Sequence, residues 1–284
     1  MSSKINMNKQ HDEPIPGPNP RANSMAVTST GISLRVRVAL LAAVIAPFLG
    51  LLAAIVSLWG WGFRWSDLLV LTGMYLLTVL GITVGFHRLF THRAFETHRA
   101  IQFLFAVLGS MAVQGPLLQW VALHRRHHQH SDNLEDPHSP HHHGDGVTGI
   151  LRGLWYAHLG WMFMPKPADL PRYVKDLRES RVLRCVSKMF PLWVVIGLLL
   201  PAGLGWLLVG SLSGAWTGFI WGGLVRVLFV HHVTWSINSI CHVWGRQPFQ
   251  SNDESRNNVF FGIVGLGEGW HNTHHAFPTS ARHG

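Results

Sequence analysis

The stretch "IQFLFAVLGSMAVQGPLLQWVAL", residues 101–123, decides how this chain folds. Its length suffices to cross a bilayer, since about 20 apolar residues span the hydrocarbon core. Gln102, Gln114, Gly115, Pro116 and Gln119 argue against a continuous crossing. If the stretch crosses, the residues before and after it lie on opposite faces of the membrane. If it does not, they share one face.

Those flanking residues carry the chemistry. Before the stretch, "HRLFTH" supplies His87 and His92; directly after it, "HRRHH" supplies His124, His127 and His128. Farther on, "NSICH" holds Asn238 and His242, and "HNTHH" holds His271, His274 and His275. Residues i, i+3 and i+4 of a helix lie on one face, so each HxxHH box can aim its imidazoles at one locus, and two adjacent metals can share a box. Five residues, the His87–His92 spacing, correspond to about 140° on an ideal helix. The second span is therefore expected to end near His87, with His92 reaching back from a following turn or a distorted helix. One such box is a weak signal. Two HxxHH boxes and an HxxxxH, each beside an apolar run, point to metal.

The other apolar runs set the parity. Residues 38–61 and 67–86 read as a first hairpin of spans, and 190–210 and 214–237 as a second. Pro47 is a candidate kink in the first span. Arg226, His231 and His232 burden the last one and are expected to face an interior. Box one lies on the starting side of the membrane after the first hairpin. Box two can share a metal with it only if 101–123 does not cross, so that stretch is expected to be interfacial. The second hairpin then returns His242 and box three to the same side. Eight box histidines plus His242 make nine imidazoles, too many for one tetrahedral zinc with its four ligands. Divided over two metals they leave open positions. A redox-active metal beside an apolar interior suggests oxidation of a lipid chain, which favours iron.

Composition agrees. Only 13% of the 284 residues are charged and 48% are hydrophobic, whereas soluble domains average about 25% charged. The 13 Trp suit headgroup boundaries. Basic residues, from Arg35 and Arg37 through Arg125 and Arg126 to Arg246 and Arg256, flank the same ends of the hairpins, and the opposite ends carry only Arg64. The positive-inside bias makes those ends cytosolic. That distribution accounts for the net charge of +9 without a nucleic-acid partner. Two cysteines exclude a disulfide framework. Residues 1–33, with Pro14, Pro16, Pro18 and Pro20, read as a disordered tail; no signal peptide is expected, because the first apolar run begins only near residue 38. The fold expected is an all-α integral membrane protein: four transmembrane helices in two hairpins, with a cytosolic helical cap holding a dimetal centre.

"GITVGFHRLFTHRAFE", "HRRHHQHSD", "DPHSPH", "WSINSICHVWGRQPF" and "GEGWHNTHHAFPTSARHG" together resemble the membrane fatty acyl desaturases of the stearoyl-CoA and acyl-lipid Δ9 type. The likeness runs over residues 34–284, which it marks as one membrane desaturase domain. It implies a di-iron centre that uses O2 and two electrons to place a cis double bond in a long acyl chain. It implies the ligands His87, His92, His124, His127, His128, His242, His271, His274 and His275, with Asn238 acting through water. Gln114, Trp120 and Thr234 match positions at the bend of the acyl tunnel, and Trp235 one near the acyl-donor head group. No general acid–base residue is implied beyond the metal ligands. Gly115, Ala122 and Leu123 stand where acyl-CoA members carry polar residues, and Pro165 where they carry a basic one, so the substrate is an acyl-CoA or a lipid-linked acyl chain. The insert "HHHGDG", 141–146, reads as a solvated loop. Relatives continue well past the last box, so a truncated C-terminus is an expectation.

No heme, flavin or iron–sulfur motif is present in the sequence. Electrons are expected from a separate carrier of the ferredoxin or cytochrome b5 type with its reductase, and a bacterial cell membrane is the expected location, with the site on the cytoplasmic side. Two rivals remain: a di-iron membrane hydroxylase, and a zinc-handling transporter or sensor. The second predicts ligands spread along the spans, whereas most histidines here gather at one end.

Overall fold

The computed structural model describes residues 32–61 and 64–283. The expected tail lies outside the described residues except for its last two positions. Among the described residues there is no β-strand, only the isolated bridges of Asn257 with Arg246 and Trp270.

Among the described residues, four helices are long and apolar enough to cross a membrane: Leu34–Ser57, Trp65–Thr91, Phe190–Val209 and Leu212–His242. Even the 20-residue member reaches about 30 Å at 1.5 Å per residue. The first belongs to α1 (Leu34–Trp61), which contains Pro47. The second is α2 (Trp65–Leu80), prolonged by a π-helix over Gly81–Thr91. After the shorter helices α5 (Gly146–His158), α6 (Lys175–Glu179) and α7 (Arg181–Lys188), the third is α8 (Phe190–Val209). The fourth runs through α9 (Leu212–Gly218), a π-helical stretch (Phe219–Val225), α10 (Arg226–Ser239) and a short 3-10 turn to His242. Arg64, before α2, donates to Ser213 Oγ at 3.3 Å and so joins the far ends of the two hairpins.

The decisive stretch 101–123 is not one helix. It divides into α3 (Arg99–Ser110) and α4 (Leu117–His130) around a break at 111–116. Pro116 lacks an N–H and biases the residue before it away from the helical region. Val113 has φ 62° and Gly115 φ 106°. The break bares carbonyls inside an apolar bundle, and α10 supplies their donors. The fully buried Arg226 guanidinium donates to Met111 O at 2.8 Å, Gly197 O at 2.7 Å and Gly222 O at 3.1 Å. His231 donates through Nε2 to Val113 O at 3.0 Å. Two of the polar residues that burden the fourth span, Arg226 and His231, therefore hold the break in place, while His232 meets His158 at 3.0 Å.

Helix α3 lies against the π-helix with almost no gap: a Cβ at Gly81 would stand 2.3 Å from the Gly109 nitrogen. The main core joins Ile82, Phe86 and Phe90 to Ala106, Leu117, Val121 and Val186. It fixes α4, and with it box two, beside box one.

Candidate metal centre

Box one owes its geometry to the π-helix. The second span does not end near His87, as the spacing had led one to expect. It continues to Thr91, and His92 reaches back from a distorted helix. In a π turn the bond runs from residue i+5 to residue i, and the backbone N–H of His92 donates to His87 O at 3.1 Å. Residues five apart then share a face, and the two ring centroids are 4.9 Å apart.

Box two sits on α4. His124 and His128 lie one turn apart, while His127 points about 100° away from His128. Box three occupies the six-residue α12 (His271–Ala276), which follows α11 (Val259–Val264). It is delivered by a tight turn in which Leu266 has φ 51° and Gly267 φ 103°; a side chain at Gly267 would also meet Arg88 Nη2 at 2.8 Å. In box three, His271 and His275 face one way and His274 the other.

The nine imidazoles fall into two groups. His87, His92, His124, His128 and His274 offer ring nitrogens within 4.8 Å of one another, and so do His127, His242, His271 and His275. Each HxxHH box is thus shared between the groups. In the first, His274 Nε2 lies 2.9 Å from Nε2 of both His87 and His128, and His128 Nε2 lies 3.1 Å from His124 Nε2. In the second, Nε2 of His242 and His271 are 3.0 Å apart. Nε2 of His92, His127 and His275 is buried with no hydrogen-bond partner. Ring nitrogens left without partners and crowded in this way offer a cation a ready set of donors.

Four carboxylates turn these rings inward. Asp136 accepts from His127 Nδ1 at 2.9 Å, Asp132 from His242 Nδ1 at 2.8 Å, and Asp253 from His275 Nδ1 at 2.5 Å, while Glu268 meets His87 Nδ1. A proton held on Nδ1 leaves the Nε2 lone pair free for a metal. Burial would raise Asp132, Asp136 and Asp253, but their histidine partners and neighbouring backbone N–H groups hold all three well below the usual carboxylate range. Glu268 behaves differently: burial raises it to about 8, against the opposing charge of Arg88. Burial, followed by repulsion from neighbouring imidazoles and Arg125, lowers His92 to about 3. The same two causes hold His124, His128, His271 and His274 well below their ordinary value. These rings are neutral at neutral pH, the form that ligates. Nine imidazoles backed by acids on their outer nitrogens fit two divalent cations in donor type.

A cavity of about 770 Å³ runs from this cluster into the apolar bundle, within the usual range of about 300–1,000 Å³ for ligand sites. His124, His271, Glu268 and Asn238 line it near the cluster, and Ala39, Leu40 and Ala43 of α1 line it elsewhere. Gln114, Trp120, Thr234 and Trp235 all lie on its wall. Gln114 donates to Thr234 Oγ1 at 2.8 Å, and Trp120 Nε1 donates to Gln114 Oε1 at 3.3 Å. Trp235 packs on His231 with ring centroids 4.6 Å apart and the planes tilted by 33°.

Sequence reasoning passed over the four acids, and also His138 and His283. His138 packs 4.4 Å from His127, and His283 4.5 Å from His274. A signal was present: in a chain with only 14 acids, Asp132, Asp136 and Glu268 stand within eight residues of a box histidine.

The fatty acid desaturase family model matches residues 63–283. A hex-5-enoyl-[acyl-carrier protein] acetylenase of Moorena producens is 42% identical over 237 residues, covering 83% of this chain and 74% of its own. An sn-1 stearoyl-lipid 9-desaturase of Synechocystis sp. is 38% identical, covering 78% and 65%. The chloroplastic palmitoyl-monogalactosyldiacylglycerol delta-7 desaturase of Arabidopsis thaliana is 39% identical, covering 78% and 56%.

Proposed function

The chain belongs to the fatty acid desaturase family, and from that premise we propose that it places a cis Δ9 double bond in a lipid-linked long acyl chain. It is a multi-pass membrane oxidoreductase acting on fatty acyl groups. One observation carries the finer reading: nine imidazoles converge in groups of five and four at the end of an apolar cavity.

His87, His92, His124, His128 and His274 would hold one iron. His127, His242, His271 and His275 would hold the other, with Asn238 adding a contact through water. When bound, the two irons would supply the oxidising chemistry: with O2, two electrons and two protons, a –CH2–CH2– unit becomes –CH=CH– and two waters form. The protein's part is positional. The acids keep the rings aimed inward. The apolar wall keeps water from the chain. The Trp120–Gln114–Thr234 hydrogen bonds would fix the wall where the chain bends beside the histidines, and Trp235 would lie toward the acyl-donor head group.

The lipid-linked carrier is supported by the Synechocystis and Arabidopsis relatives, whose names specify lipid substrates. Gly115, Ala122 and Leu123 add support, since they replace polar residues of the acyl-CoA members. Because Arg125, Arg126 and the other basic residues flank the histidine end of the hairpins, that end is assigned to the cytoplasmic face of a bacterial membrane. Electrons would come from a separate ferredoxin or cytochrome b5-type carrier. The 34–284 segment would be one desaturase domain, with 101–123 interfacial.

The test is expression in a desaturase-deficient host, with double-bond mapping of lipids and metal analysis of the purified protein. A Δ9 alkene in membrane lipid and two irons per chain are expected. An alcohol would point to a hydroxylase, and two zincs without activity to metal handling.

A further inference from the structure

The insert that begins "HHHGDG" is only partly a solvated loop: His142 is exposed, while His141 and His143 are half-buried. Their ring nitrogens do not gather around a point of their own. His142 Nε2 donates to Asp132 O at 2.8 Å. His143 Nε2 donates to Ser139 O at 3.2 Å. His141 Nε2 donates to His242 O at 3.2 Å and stands 3.7 Å from Asp132 Oδ1, and its backbone N–H donates to Ser139 Oγ at 3.1 Å. Ser139 Oγ in turn donates to Asp132 Oδ1 at 2.9 Å. Every bond of the run ends on Asp132, Ser139 or His242.

Asp132 needs such support. Its φ is +57°, in the left-handed region. A residue other than glycine stays there when its surroundings over-determine it. Its carboxylate must also face His242 Nδ1 at 2.8 Å while accepting the Glu254 N–H at 2.9 Å. Losing the His142 bond frees the peptide of Asp132; losing His141 frees the carbonyl of His242. Either change lets the ring of His242 turn away from His271.

We propose that the run His141–His142–His143 is a brace that positions Asp132, and through it His242, in the four-histidine group. These are positioning residues, and the inference rests on the metal reading proposed above. It predicts that the brace acts on one metal and leaves the other alone, because no bond of the run reaches the five-histidine group.

The test uses the full chain in lipid nanodiscs, loaded anaerobically with ferrous iron and titrated with a graded chelator. Wild type, H141A/H142A and H141Q/H142Q are compared, since glutamine restores a side-chain N–H. In H141A/H142A one iron should stay as in wild type and the other should weaken by about tenfold, the lower end of the effect of removing a partner of a ligating histidine. H141Q/H142Q should return most of the lost affinity, and the thermal midpoints of the three metal-free proteins should agree. The brace is overturned if both irons stay as tight as in wild type, if both weaken together, or if the glutamine pair behaves like the alanine pair. A wild type that takes up no iron would overturn the metal reading, and the brace with it.

Discussion

Asp136→Asn tests whether the carboxylates act as partners of ligating histidines. Asp136 is buried and accepts four contacts: both oxygens face His127 Nδ1 at 2.9 and 3.0 Å, Oδ2 takes the Asp132 N–H at 2.9 Å, and Oδ1 takes the His138 N–H at 3.0 Å. An asparagine keeps the shape and loses one acceptor. Whichever way its amide turns, one NH2 faces a backbone N–H, orphaning a buried donor at about 1–3 kcal/mol. His127 Nδ1–H is left with a neutral acceptor, and charge-assisted bonds are about twice as strong as neutral ones. The ring of His127 is then less basic and less fixed, which weakens metal binding by about 10–100-fold. That factor corresponds to about 1.4–2.8 kcal/mol. The assay is iron content per chain against a graded chelator, with Asp169→Asn, which changes a partner of Arg126, as control. D136N should lose one iron early and keep the other, while D169N should match wild type. If D136N held both irons as tightly as wild type and lost only thermal stability, Asp136 would be a folding residue and the reasoning would fail.

Three further outcomes are expected. His274→Ala removes the nitrogen that lies 2.9 Å from both His87 and His128; it should abolish desaturation and empty the five-histidine group while the protein still inserts into membranes, as measured by membrane fractionation and metal analysis. Thr234→Val removes the acceptor of Gln114; lipid analysis should reveal slower turnover and a scatter of double-bond positions, and an unchanged product would count against a tunnel role. Asp176 has its carboxyl lowered to about 2, because the hydrogen bonds and charges of Arg125 and Arg93 outweigh burial. Its stabilisation is fully present above the unfolded value of about 4 and is lost as pH falls toward about 2. The stability gap between wild type and Asp176→Asn should therefore close between those pH values in acid-unfolding curves.

Much of the candidate site was readable before folding. HxxHH is a helical spacing that keeps its three rings within about 100° of one another wherever a helix forms, so one box can serve two neighbouring groups. The family pattern also placed Gln114, Trp120 and Thr234 near one another. The carboxylate partners could not be assigned this way. Asp132 serves His242, 110 positions away, and Asp253 serves His275, 22 positions away. No local period links such pairs; only the packing of separate elements does.

Spacing and hydropathy alone marked four apolar runs, a weakened fifth and nine histidines clustered beside them. They do so because helical geometry and bilayer thickness act on short stretches of chain. Tertiary structure decided the rest. A π-helix at Gly81–Thr91, pressed on α3 through Gly81 and Gly109, turned the five-residue spacing of His87 and His92 into a shared face. Arg226 and His231 of α10 supplied the donors that hold the 111–116 break open inside the bundle. Docking of α12 against α4 and the π-helix sorted the imidazoles into five and four. Each of these depends on which backbone carbonyl or side chain arrives from a distant part of the chain, and a one-dimensional pattern carries no record of that.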